Sequence, residues 1–154
     1  MIQAIRKLFL EIPRWLSAIL AVSYAASIFG LSSLERASLP TGGYVANLLH
    51  APLFGGLALL VILALVQRSR LERTPHLAVL SWVVVAIYAG IDEVHQAFTP
   101  GREASLGDAV TDALGAALML LGVSRILSGR PRDGLLVRWV AVLVVSIAAS
   151  AFVA

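Results

Sequence analysis

Long apolar runs, broken by short polar and basic segments, set the rhythm of this 154-residue chain. Five stretches approach or reach the roughly 20 mostly apolar residues that a bilayer-spanning helix needs. They are Trp15–Leu31, Val45–Val66, Leu77–Ala97, Leu106–Leu127 and Leu135–Ala154. Little chain is left between them. The pattern therefore predicts an all-α integral membrane protein, one compact bundle of five transmembrane helices spanning residues 1–154 as a single domain. Thr99-Pro100-Gly101 is a turn signal that ends the third span and predicts a short hairpin holding spans three and four antiparallel.

Composition agrees with that pattern. Hydrophobic residues make up 59% of the chain and charged ones 14%, where soluble domains are typically about a quarter charged. Arg6, Lys7 and Arg14 precede an apolar run, as in a signal peptide. The run exceeds the usual length of a signal core and lacks a small-residue cleavage site behind it, so the first span is expected to be retained. The net charge of +3 does not point to nucleic acid, because the basic residues sit in clusters between apolar runs. With no cysteine, disulfides, thiolate metal sites and cysteine catalysis are excluded.

Those basic clusters alternate. The N-terminal segment has Arg6, Lys7 and Arg14, and the first loop Arg36 alone. The second loop carries Arg68, Arg70 and Arg73, the third only Arg102, and the fourth Arg125, Arg130, Arg132 and Arg138. Positive residues accumulate on the cytoplasmic side, so the expected topology is N-terminus in and C-terminus out. His50, Asp92 to Gln96, and Asp108 with Asp112 then gather near the outer ends of spans two, three and four.

Five of the nine carboxylates, Asp92, Glu93, Glu103, Asp108 and Asp112, fall between positions 92 and 112, with Arg102 the one basic side chain of Lys or Arg type among them. Charged groups beside lipid-spanning sequence are costly and usually have a polar task or a fixed partner. Residues three or four apart share a helix face. That rule pairs Glu93 with Gln96 and Asp92 with His95, places Tyr88 one turn below Asp92, and lines Ser105, Asp108, Asp112 and Gly115 along one stripe. Gly115, near Ala109, Ala113 and Ala117, suits close helix approach.

His50, Glu93, Gln96, Pro100, Gly101, Arg102, Ser105, Asp108 and Gly115, in that order and spacing, resemble the pattern of the VanZ-like family of bacterial membrane proteins, named for a member linked to low-level teicoplanin resistance. The serine-rich end of the first span, Ser27 to Ser33, is similar too, and the resemblance covers about Ala21 to Leu121. It implies a multi-pass protein of the bacterial cytoplasmic (inner) membrane, with a core at about residues 15–127 and an additional C-terminal span at 135–154. It implies a role in the cell envelope, at lipid head groups or cell-wall precursors, without defining a reaction. Asp112 departs from the pattern by standing where the family usually has Asn, and Leu49 stands where a basic residue is frequent nearby.

Two readings of Glu93, Arg102 and Asp108 stand side by side. In one, Arg102 clamps the two carboxylates and fixes the hairpin. In the other, the acids form an anionic site, because five carboxylates and one arginine leave a formal charge of −4 that a clamp does not neutralise. The binding set of the second reading is His50, Asp92, Glu93, Gln96, Arg102, Ser105, Asp108 and Asp112, with membrane lipids, a cell-wall precursor or an amphiphilic antibiotic as partners. An intramembrane hydrolase or transferase acting on a phosphate-containing lipid is the alternative, with His50, Glu93 and Asp108 as candidate catalytic groups. His50, Glu93, His95 and Asp108 carry donors acceptable to zinc or manganese. No dense metal motif is present, so no cofactor is assigned and a divalent cation stays open. Spans three and four are apolar below Asp112 and Tyr88, which argues against a continuous ion path.

Overall fold

The computed structural model describes residues 11–34, 42–66 and 75–127. Within them lie four helices: α1 (Arg14–Ser32), α2 (Gly42–Leu65), α3 (Pro75–Gln96) and α4 (Leu106–Leu127). There is no strand among the described residues. The helices coincide with the first four apolar runs to within three residues at each end. The fifth run, Leu135–Ala154, lies outside the described residues.

Local chemistry sets the helix ends. α1 follows Pro13, whose fixed φ and missing N–H suit a helix start, and α3 begins on Pro75. Between α3 and α4, the Arg102 N–H donates to the Thr99 carbonyl at 3.1 Å. Pro100 and Gly101, the latter at φ 74°, occupy the two central positions. This is the type II turn, which requires a residue tolerant of positive φ in its third place. Ser105 then caps α4, its hydroxyl accepting the Asp108 N–H at 3.2 Å.

The inward faces repeat every three or four residues. Ser17, Ala21, Ile28 and Ser32 are buried on α1, and His50, Ala51, Phe54, Ala58 and Ile62 on α2. On α3 the buried stripe runs Ser81, Val85, Ala89, Asp92 and Gln96, and on α4 Asp112, Ala116, Leu120 and Val123. The middle of each stripe is small or apolar, whereas one end is polar in every helix. The outward faces are apolar: Trp15, Val22, Val79, Ile87, Ile91 and Val94 are each more than half exposed. In water such faces would be an aggregation surface; in hydrocarbon they are at home. α1, α3 over His76–Gln96 and α4 over Leu106–Arg125 are long and apolar enough to cross a membrane, and α2 contributes a shorter apolar length from His50 to Leu65.

α2 packs against all three other helices, most extensively against α4. The reason is a close approach at Gly115. A Cβ built there would lie 2.4 Å from the Ala51 carbonyl oxygen and 2.8 Å from its Cα. Only glycine allows backbone to meet backbone at that distance. Arg14 ties the opposite end, its Nε–H donating to the Ala64 carbonyl at 2.9 Å.

Gly115→Ala is expected to lower stability by about 1–3 kcal/mol through overpacking, read as an earlier thermal unfolding midpoint in detergent. Gly122→Ala, where an added Cβ meets nothing within 4 Å, is expected to melt no earlier than wild type.

Candidate functional site

The polar ends of the four inward stripes meet at one end of the bundle. Ser32 on α1 reaches Asp92 on α3, His50 on α2 reaches Asp112 on α4, and Glu93 on α3 reaches Ser105 at the start of α4. With a rise of about 1.5 Å per residue, Asp112 sits roughly 9 Å below the start of α4 and Glu93 roughly 5 Å from the end of α3. The acids therefore lie inside the bundle rather than at its rim.

Neighbouring residues on a helix point about 100° apart, and this splits α3's two adjacent acids between two sides. Asp92 turns to α1. Its Oδ2 accepts the Ser32 hydroxyl at 2.8 Å and the Gln96 amide at 2.8 Å. Gln96 in turn accepts from Arg102 Nη1 at 3.2 Å. Arg102 extends past the acids to the C-terminal end of α1, where Nη2 and Nε donate to the Leu31 and Leu34 carbonyls, both at 3.4 Å. The Leu31 carbonyl also accepts the Leu34 N–H at 3.2 Å, and a guanidinium suits carbonyls at the end of a helix. Thr99 adds a contact at 3.5 Å from its hydroxyl to the Ser32 carbonyl.

Arg102 is thus a clasp between the α3–α4 turn and α1. It does not clamp Glu93 and Asp108 together, as one sequence reading had it. The carbonyls at the end of α1 compete for the guanidinium and win, because Glu93 already accepts from a backbone N–H and is turned toward α4.

Glu93 faces the other side. Its Oε2 accepts the Ser105 backbone N–H at 2.8 Å. Across from it, His50 Nδ1 and Asp112 Oδ2 are 3.2 Å apart. One donor atom from each of His50, Glu93 and Asp112 lies within 4.8 Å of the other two. The grouping shares His50 and Glu93 with the quartet of His50, Glu93, His95 and Asp108 read from the sequence. His95 stacks on Phe29 at 4.1 Å and meets the Ser33 hydroxyl at 2.9 Å, on the α1 side. Asp108, one turn above Asp112, is only partly buried.

Burial makes these acids unusual. Asp112 is 0%, Asp92 1% and Glu93 5% exposed. Each keeps one oxygen, Asp112 Oδ1, Asp92 Oδ1 and Glu93 Oε1, with no hydrogen-bond partner among the described residues. A buried carboxylate left half-satisfied is costly. When all three are ionised they carry more negative charge than one imidazolium can balance, and Arg102 meets Asp92 only through Gln96. The arrangement is suited to a cation or to a group rich in donors.

Sequence spacing placed His50, Glu93, Gln96, Ser105, Asp108 and Asp112 at one end, and there the structure brings them together. The sequence did not single out Ser32, whose hydroxyl completes the Asp92 contacts. Within the run Ser27 to Ser33, the signal was its four-residue spacing from Ile28 and its place opposite the acids. Nor was Tyr88 given a role; its hydroxyl donates to the Ala25 carbonyl at 2.6 Å and locks α3 to α1 below the site.

Apolar outer faces around an interior of carboxylates, amide and imidazole define a helical membrane protein with a polar site inside its bundle. The chain belongs to the VanZ/LLP1 family, whose family model matches residues 3–127 and so covers all four helices. Comparison with curated proteins finds no match, and comparison with solved structures finds none either.

Arg102→Lys keeps the charge and loses the planar fork that serves Gln96 and two carbonyls at once. It is expected to cost about 1–3 kcal/mol in a thermal melt in detergent. Glu103→Gln, on the exposed side of the same turn, is expected to leave the midpoint unchanged.

Proposed function

We propose that this is a cell-envelope protein of the bacterial cytoplasmic membrane that binds a polar head group in the pocket at the acidic end of its bundle. The head group belongs to an envelope lipid or a lipid-linked cell-wall precursor. The family's link to teicoplanin resistance extends the class to amphiphilic antibiotics. The observation that carries this reading is the trio of buried carboxylate oxygens on Asp92, Glu93 and Asp112 that lack a partner among the described residues. A site completed by something from outside the chain would leave such oxygens. The alternation of arginines along the loops supports a multi-pass topology with the N-terminus in the cytoplasm. In that orientation the acidic end opens to the extracytoplasmic leaflet, where such ligands are found.

One observation favours a second reading, a hydrolase or transferase on a phosphate-containing lipid. His50 and Asp112 form a pair beside Glu93, and a histidine oriented by a carboxylate is a common general base.

The test uses nanodiscs of phosphatidylethanolamine and phosphatidylglycerol, followed by progressive detergent extraction and native mass spectrometry. Wild type is expected to retain bound lipid under conditions that strip Glu93→Gln. In the variant an amide oxygen still accepts the Ser105 N–H while the charge is gone. Equal retention by the two proteins would remove the buried acids from lipid recognition. Consumption of a lipid phosphate by wild type and not by Glu93→Gln would replace binding with catalysis.

A further inference from the structure

The acids on the two sides of α3 are not equivalent. Asp92 has two side-chain donors on its Oδ2, from Ser32 and Gln96. Glu93 and Asp112 face each other and His50, and the contacts they make are one backbone N–H to Glu93 and the imidazole to Asp112. Both are at least nineteen-twentieths buried, and both hold an oxygen without a partner. Atoms sealed to that degree are beyond the bulk of a head group, and at most a single one of its oxygens approaches them. The complement they call for is small.

We infer that His50, Glu93 and Asp112 form a binding site for a divalent transition-metal ion of the zinc or manganese class. The inference deepens the head-group reading and rests on the same pocket. Three observations support it. One donor atom from each residue lies within 4.8 Å of the others. His50 Nδ1 and Asp112 Oδ2 are 3.2 Å apart, close to the roughly 3.3 Å that separates two ligands of a tetrahedral ion bound at about 2.0–2.1 Å. Two of the three unpartnered oxygens, Glu93 Oε1 and Asp112 Oδ1, belong to this trio (the third is Asp92 Oδ1) and supply lone pairs that no donor among the described residues uses.

The donor set selects the metal. One imidazole nitrogen with two carboxylate oxygens suits zinc or manganese, whereas calcium and magnesium favour all-oxygen surroundings. Two carboxylates match the charge of a divalent ion and leave imidazole neutral, the form in which it coordinates. The Ser105 N–H bond to Glu93 Oε2 orients that carboxylate from behind, as outer contacts of metal ligands commonly do. Three protein ligands leave a coordination position open. A phosphate or hydroxyl oxygen of a head group fits there, which links an anionic ligand to a pocket lined with acids.

The inference is tested in lipid-depleted detergent solution, so its outcome is independent of head-group binding. Protein purified without chelator is assayed for metal by mass spectrometry. After chelator stripping, Zn2+ and Mn2+ are titrated by calorimetry with thermal unfolding as a second readout. Wild type is expected to bind one of these ions, to melt later with it, and to show nitrogen and oxygen but no sulfur neighbours by X-ray absorption. His50→Gln, Glu93→Gln and Asp112→Asn are each expected to weaken binding roughly tenfold or more, while His95→Gln, outside the cluster, is expected to bind as wild type does. Glu93→Gln keeps an acceptor for Ser105 and guards against a result that reflects misfolding alone. The proposal is overturned if stripped wild type binds neither ion, or if folded Glu93→Gln binds as tightly as wild type. Metal binding without lipid retention would leave this site standing and remove the head group from it.

Discussion

A carboxylate enclosed between apolar helices has no water to turn to, so everything it needs must come from neighbouring helices or from a bound partner. Three such groups, Asp92, Glu93 and Asp112, occupy the last turn of α3 and the start of the buried stripe on α4. The rest of the bundle is arranged around supplying them. α1 brings the Ser32 hydroxyl, α2 brings His50, and the start of α4 brings the Ser105 N–H. Remove the acids and each of these polar groups would itself be stranded. The bundle end is thus mutually dependent, whereas the apolar middle, from Val85 and Ala89 across to Ala58 and Ala116, holds by shape alone.

The short connection between α3 and α4 converts sequence proximity into site geometry. A type II turn at Pro100 and Gly101 reverses the chain, so that residues twelve apart, Glu93 and Ser105, touch. The same turn places Arg102 beside the end of α1. One side chain from the turn thereby secures a helix more than sixty positions earlier in the chain. The acids are free for other partners because the arginine among them in sequence is engaged with carbonyls and Gln96 in space.

Much of this was legible before the fold was known. Apolar runs of spanning length gave the helices, because a membrane helix must satisfy its backbone within itself and announces itself by length and hydropathy. The gathering of His50, Glu93 and Asp112 at one end followed from antiparallel order. Which acid faced which helix did not follow, since adjacent residues 92 and 93 differ only by rotation about α3, and that rotation is decided by packing. The partner of Arg102 was equally hidden: backbone carbonyls at the end of α1 carry no sequence signature. The sequence put His95 and Asp108 among the possible metal ligands and left Asp112 out; the four-residue alignment of Asp112 with Ala116 and Leu120 on the buried face is what separates it from them.

The contact between Gly115 and Ala51 carries a meaning beyond packing. Ala51 follows His50 directly, and Gly115 lies three residues beyond Asp112. Two backbones pressed together at that point act as a stop, so the gap between imidazole and carboxylate is set by main chain rather than by flexible side chains. A cluster built on such a stop cannot widen without parting the helices. If the cluster receives a ligand as proposed, discrimination by size resides in a residue with no side chain to offer.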